Sequence, residues 1–262
     1  MTWRDVRAGN AVKDALAAGE TVVGSFVRTS STEAVEVCAH AGCTFLLIDL
    51  EHSATSWQQA SALILAAEAA GASPIMRVSS PGRDLITRVL DIGAHGVMVA
   101  QVESASTAAD VVAATRYGPA GTRGTAGGRG SGWGLRMSAS EYQAAANQAT
   151  FVSVQVETRT GAEQIESIAA VDGLDCIFVG LSDLSTDLGA PNEWDHPELG
   201  ALLDQIHVAC ATRGVAVGYP ATSPAMARTL MDRGGRLIAT AVTSQLALAM
   251  SSFISEVSAS AE

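Results

Sequence analysis

Short apolar runs of about four to seven residues alternate along the chain with longer stretches in which apolar residues recur every three or four positions. The short runs predict strands at Thr21–Val27, Thr44–Leu50, Ser73–Val78, Gly96–Val99, Phe151–Glu157, Asp175–Val179, Val215–Gly218 and Arg236–Val242. The longer stretches predict helices at Thr32–Ala41, Trp57–Gly71, Arg83–Gly93, Thr107–Ala114, Gly161–Val171, Pro197–Thr212 (after a short turn), Pro224–Gly234 and Thr243–Val257. Gly42, Gly71, Gly93 and Gly234 stand where a helix has to stop before the next strand.

Strict alternation of strand and helix, with strands apolar on both faces, points to a parallel sheet covered by helices. Eight such units predict closure into a (β/α)8 TIM barrel, which takes about 250 residues as one unit, so residues 1–262 are expected to form a single domain. A doubly wound open sheet is the competing arrangement. It expects a G-x-G-x-x-G turn after the first strand, where Gly24-Ser25-Phe26-Val27 stands instead. The one long stretch without periodicity, Arg116 to Tyr142, contains two glycine-rich segments and is expected to be a loop with a function of its own.

Charge narrows the partners. With 16 basic and 27 acidic residues the formal charge is −11, which leaves no basic field for nucleic acid or an anionic membrane. No apolar stretch is long enough to span a bilayer. The amino-terminal segment lacks the apolar core of a secretory signal, so a cytoplasmic location is expected. Cys38, Cys43, Cys176 and Cys210 form no C-x-x-C pair and read as reduced core thiols.

In a barrel of this kind, catalytic groups belong at the C-terminal ends of strands. Strand two runs into Ile48-Asp49-Leu50-Glu51-His52, strand three into Met76-Arg77, strand five into Gln155-Val156-Glu157, and strand six into Gly180-Leu181-Ser182-Asp183. Glu157 and Asp183 close neighbouring strands, so their carboxylates can converge on one cation, with water and a bidentate substrate completing an all-oxygen shell. That donor set suits Mg²⁺ or Mn²⁺ better than zinc. Capping of the following helices is the competing role, for which Asp183 is well placed. Two roles are open to Arg77: holding an enolate oxygen by charge-assisted hydrogen bonds, or a structural salt bridge to Asp49 or Glu51.

Among five histidines only His52 stands at a strand end. A lone histidine commonly serves packing or solvent, but Asp49 and Glu51 flank this one and give it a partner that raises its basicity, which makes it the candidate base, working through water. Lysine supplies negative information. Imine-forming aldolases need a lysine inside the barrel, and the only lysine here, Lys13, lies in a polar helix before the first strand. The glycine-rich stretch lacks G-K-[ST] and does not lead from strand into helix, so a phosphate cradle is weakly supported beside a mobile lid or a subunit contact.

These motifs together resemble the metal-dependent pyruvate aldolases of the HpcH/HpaI type. The resemblance is carried by Leu47-Ile48-Asp49-Leu50-Glu51-His52, Pro74-Ile75-Met76-Arg77-Val78, Leu90-Asp91-Ile92-Gly93-Ala94, Arg116-Tyr117-Gly118-Pro119-Ala120-Gly121-Thr122-Arg123-Gly124, Val154-Gln155-Val156-Glu157-Thr158 and Phe178-Val179-Gly180-Leu181-Ser182-Asp183-Leu184-Ser185, in order along most of the chain. It implies reversible cleavage of a 4-hydroxy-2-oxo acid to pyruvate, or a close 2-oxo acid, and an aldehyde. His52 would be the base, Arg77 the enolate stabiliser, and Glu157 with Asp183 the ligands of Mg²⁺, Mn²⁺ or Co²⁺. Gln155 and the backbone at Ser182 would touch substrate, and Asp91 would enhance the basicity of the histidine. The resemblance also implies a homo-oligomer, a ring-like trimer or hexamer with active sites near subunit contacts.

Three positions depart from the family pattern. Leu181 stands where proline usually precedes the small residue before the metal aspartate, Ala100-Gln101 stand where proline usually follows strand four, and Phe26 replaces tryptophan in strand one. All three bear on which 2-oxo acid and which aldehyde are taken. Two other activities compete: a condensing enzyme of the same family, using oxaloacetate or another enolate donor, and a citrate-lyase-like CoA-thioester lyase. The charge of −11 and the lack of a basic cluster for CoA phosphates disfavour the latter.

Overall fold

In the computed structural model, which describes residues 6–259, all eight expected strands form and close on themselves in the order β1-β2-β3-β4-β5-β6-β7-β8, every neighbouring pair parallel. They are β1 (Val22–Val27), β2 (Phe45–Asp49), β3 (Ser73–Val78), β4 (Gly96–Val99), β5 (Phe151–Val156), β6 (Cys176–Val179), β7 (Ala216–Pro220) and β8 (Leu237–Ala241). The chain is a (β/α)8 TIM barrel. Glycines end helices as expected, with left-handed φ of 106° at Gly42, 88° at Gly71, 107° at Gly93 and 112° at Gly234, values a side chain would resist.

Strand parity sorts the core into two layers, because successive side chains point to opposite faces of the sheet. Phe26, Leu47, Ile75, Met98, Phe178 and Leu237 fill the barrel interior. Val27, Ile48, Met76, Val99, Val154 and Val179 face the surrounding helices. Asp49, Arg77 and Gln155 are in phase with the inner set, two residues beyond Leu47, Ile75 and Ser153. The same alternation that packs the lumen therefore aims these three polar side chains into its mouth.

Among the described residues twelve α-helices surround or close the barrel. Helix α1 (Ala11–Ala17) shuts the floor, inserting Val12 and Leu16 into the inner cluster. It corrects the expectation of a polar helix there. Asn10 anchors it with Nδ2 donating to the His95 and Ala149 carbonyls at 2.9 and 3.0 Å, and Lys13 Nζ pairs with Asp175 at 2.9 Å. The outer helices are α2 (Thr32–His40), α3 (Trp57–Ala69), α4 (Arg83–Asp91), α5 (Ala105–Thr115), α6 (Ala139–Ala149), α7 (Arg159–Glu163), α8 (Ile165–Ala169), α9 (Leu181–Asp187), α10 (Pro197–Arg213) and α11 (Pro224–Asp232). Gly161–Val171, expected as one helix, divides into α7 and α8 around Gln164.

The last helix, α12 (Val242–Ala259), differs from the rest. None of its 18 residues is buried, and Leu246, Met250, Phe253, Ile254 and Val257, spaced to share one face, are each at least 50% exposed. No helix among the described residues is long and apolar enough to cross a membrane.

The glycine-rich loop starts at the end of α5, which lies at the floor because outer helices run against the strands, and leads into α6. Arg129 pairs there with Glu68, and Arg123 Nη2 contacts Asp91 at 3.0 Å. These two contacts hold the loop at the floor, while the Thr122 carbonyl accepts from Arg83 at the start of α4.

Candidate active site

At the mouth, the charged residues expected from strand ends form a connected chain across β2, β3 and β5. Arg77 grips Asp49 with two donors, Nε to Oδ1 at 3.1 Å and Nη2 to Oδ2 at 2.6 Å, in the bidentate geometry that a guanidinium favours. Its remaining arm, Nη1, reaches Gln155 Oε1 at 3.5 Å, and Gln155 Nε2 donates onward to Glu157 Oε2. Both Asp49 and Arg77 are buried, a costly arrangement that only mutual pairing makes tolerable. Burial by itself would raise the Asp49 carboxyl, but the Arg77 guanidinium and the backbone N–H groups of His52 and Glu51 outweigh it and hold Asp49 below the usual carboxylate range. The Arg77 guanidinium also lies 4.7 Å from the centre of the Phe26 ring.

Glu157 sits one residue beyond β5, with Oε1 accepting the Gln101 backbone N–H at 2.9 Å. Gln101 adopts φ 56° to make that donation, an uncommon conformation for a residue with a side chain. Asp183 lies in the first turn of α9, exposed, and makes no hydrogen bond among those described. Glu51 Oε2 is buried and accepts no hydrogen bond, although Arg77 Nε is 3.3 Å away and His52 Nε2 3.6 Å away. A buried carboxylate oxygen without a hydrogen bond, on a cavity shared with two further carboxylates, fits a cation. Glu51, Glu157 and Asp183 line one cavity of about 540 Å³ together with Gln101, Glu103 and Asp187. The donors are all oxygen, as a hard divalent ion prefers. Among the described residues no three of His, Cys, Asp and Glu close into a complete metal cage, so Glu157 and Asp183 would leave coordination positions to water and substrate.

A second cavity, of about 230 Å³, adjoins the first through His52 and Asp183, which line both. Arg77, Gln155, Ser182, Leu181 and Phe26 line it as well. The His52 side chain is 56% exposed; its ring meets Glu51, while Asp49 touches only its backbone N–H. Asp91 does not join this group. It ends α4 at the floor, paired with Arg123, while His52 stands at the mouth. Lys13 lies at the floor too, and no lysine reaches the cavity.

Three residues of the site have roles that the sequence does not reveal. Gln101 acts through its backbone, which no side-chain pattern reveals. Gly180 is required by space: a Cβ there would lie 2.6 Å from Glu157 Cβ and 2.7 Å from its Oε2. Arg28, just past β1, lines the second cavity and donates from Nε to Asp49 Oδ2 at 3.1 Å.

The profile of the HpcH/HpaI aldolase/citrate lyase family matches residues 23–249. The chain belongs to that family. A 2-keto-3-deoxy-L-rhamnonate aldolase of Klebsiella pneumoniae is 36% identical over 239 residues, covering 90% of this chain and 88% of the relative. A crystal structure of an HpcH/HpaI aldolase/citrate lyase family protein from Burkholderia cenocepacia superposes with a TM-score of 0.90 at 35% identity, covering 95% of this chain and 99% of that one. The citrate synthase SbnG superposes with a TM-score of 0.85 at 27% identity, covering 95% and 98%. As a member of the HpcH/HpaI family the chain is a carbon–carbon lyase.

Burial pushes the Glu157 carboxyl up to about 7, against the hydrogen bonds from Gln155 and Gln101 and with Asp183 and Glu51 adding to the rise. A carboxyl raised above its unfolded value binds its proton more tightly in the fold. The resulting stabilisation is complete below pH 4.5, its ordinary value, and is lost as pH rises through about 7. With a chelator present, thermal unfolding should therefore show the wild type losing on the order of 2–3 kcal/mol between pH 5 and pH 8, a loss that Glu157→Gln should remove. An unchanged pH slope in that variant would place the raised titration elsewhere.

Proposed function

We propose that the protein catalyses reversible aldol cleavage of a 4-hydroxy-2-oxo acid to pyruvate, or a close 2-oxo acid, and an aldehyde, with a divalent cation (Mg²⁺, Mn²⁺ or Co²⁺) held by Glu157 and Asp183. The observation that carries this is the placement of His52 and Asp183 on the wall between an acidic cavity and one lined by Arg77, Gln155 and Ser182. The cation, when bound, supplies Lewis-acid polarisation of the 2-oxo acid. Arg77, fixed by Asp49, keeps its Nη1 edge toward the cavity, where a guanidinium stabilises an enolate oxygen as charge develops. Gln155 holds Arg77 and Glu157 at a set separation and, with Ser182, contacts the 2-oxo acid. His52 is exposed enough to exchange protons through water and takes or returns the proton of the 4-hydroxyl group, with Glu51 beside its ring as counter-charge. Phe26, Phe178 and Leu181 form the apolar wall that limits water around the enolate.

The protein works as a homo-oligomer in the cytoplasm, a trimer or hexamer by family likeness. Two features support assembly: the uncovered apolar face of α12, and Asp91, which could act on His52 only across a contact between copies.

A chelator should abolish turnover of pyruvate with an aldehyde panel, and Mg²⁺, Mn²⁺ or Co²⁺ should restore it. Borohydride treatment with pyruvate should leave no adduct, since the one lysine is at the floor. A covalent pyruvyl adduct seen by mass spectrometry would overturn the mechanism.

A further inference from the structure

Arg28 stands at the mouth with its side chain 39% exposed, and it spends only one donor on the protein, Nε to Asp49 Oδ2 at 3.1 Å. Asp49 is already held at both oxygens by Arg77, so Arg28 adds little to that grip. Its guanidinium leans over the Phe26 ring at 5.6 Å from the centroid, which fixes its direction. Nη1 and Nη2 donate to no partner among the hydrogen bonds described. The cavity they border is also lined by the hydroxyl residues Thr222, Thr240 and Ser244 and by the small side chains of Ala221 and Ala241. A planar fork whose two Nη groups are unused, on a cavity that Thr222, Thr240 and Ser244 also line, is built for a carboxylate.

We propose that Arg28 determines acceptor specificity by binding a carboxylate carried by the aldehyde, at the end remote from the carbon that joins the 2-oxo acid. This rests on the aldolase function proposed above. Arg77 and the cation site address the 2-oxo acid, and Arg28 addresses the other half of the product. The product cleaved or made is accordingly a dicarboxylic 4-hydroxy-2-oxo acid, distinct from one whose second half is neutral.

The test uses full-length protein with Mn²⁺ and pyruvate, offered ω-oxo acids of two, four and five carbons, each beside its methyl ester. For one chain length the wild type should prefer the acid over the ester by about tenfold or more in kcat/KM. Arg28→Gln should bring that ratio close to one, and Arg28→Lys, which keeps the charge without the fork, should fall between. Equal use of acid and ester by the wild type overturns the inference, as does a ratio that Arg28→Gln leaves unchanged while lowering both rates, which would make Arg28 merely a prop for Asp49. Deuterium exchange into the pyruvate methyl group, measured without any aldehyde, separates the two levels. Exchange with no acid preference refutes Arg28 alone, and no exchange with any cation refutes the aldolase function and the inference with it.

Discussion

Cation binding and turnover should disappear together when Asp183 is replaced by alanine, and turnover alone should fall when His52 is. Asp183 makes no hydrogen bond among those described and is exposed, so Asp183→Ala removes a negative charge without dismantling the mouth. A hard cation held by only two protein carboxylates should then lose more than about 100-fold in affinity. Glu157→Ala should do the same with a second effect, since Glu157 also receives Gln101 and Gln155. Its loss frees the Gln155 amide and loosens Arg77. His52→Ala removes an exposed ring in contact with Glu51, leaving both carboxylates in place. It should keep Mn²⁺ affinity and lose roughly 100-fold or more in kcat, the scale of general acid–base work. Titration calorimetry with Mn²⁺ on all three variants decides it. Equal loss of the cation in His52→Ala would end this division of labour.

Arg77→Lys carries the next largest expected effect. Structural ion pair and enolate clamp were alternatives for Arg77 in the sequence, and the geometry now gives it two edges. One edge, Nε with Nη2, is committed to Asp49, and the other, Nη1, faces the cavity beside Gln155. Lysine can keep the charge but cannot present both edges at once. Turnover per folded molecule should fall by about 100-fold, the scale of losing one oxyanion donor. Mn²⁺ affinity should persist, because neither Glu157 nor Asp183 is among the described partners of the guanidinium. A drop in thermal midpoint with normal turnover per folded molecule would make Arg77 structural only.

The barrel was legible because its signals are local and redundant. Ser73–Val78 and Gly96–Val99 form over the expected residues, and the other strands differ by a residue or two at their ends. Helix α6 was not expected: it begins in the last residues of the stretch that looked irregular and runs on to Ala149, although Ser138 and Glu141 supply the capping box that starts it. The mouth was legible in part, for the same reason of parity: Asp49, Arg77 and Gln155 stand in phase with inward-facing residues. Asp91 shows where such logic ends. No spacing rule in one chain places a helix C-terminus beside a strand C-terminus, because the two lie at opposite ends of every βα unit. Gln101, Gly180 and Arg28 were not legible, since their roles come from a backbone amide, a missing atom and a neighbour twenty-one residues away.

Helix α12 has its root in the cavity wall, where Ser244 lies in its first turn, and no residue of its remaining turns is buried among the described residues. It is a lever with its short arm in the substrate cavity. A fusion partner or affinity tag attached beyond Ala259 would load the long arm, and any strain it brings would be delivered to Ser244 and the wall facing Arg28. The floor end, closed by α1 and pinned by Asn10 and Lys13, is mechanically remote from the mouth, and tags belong there.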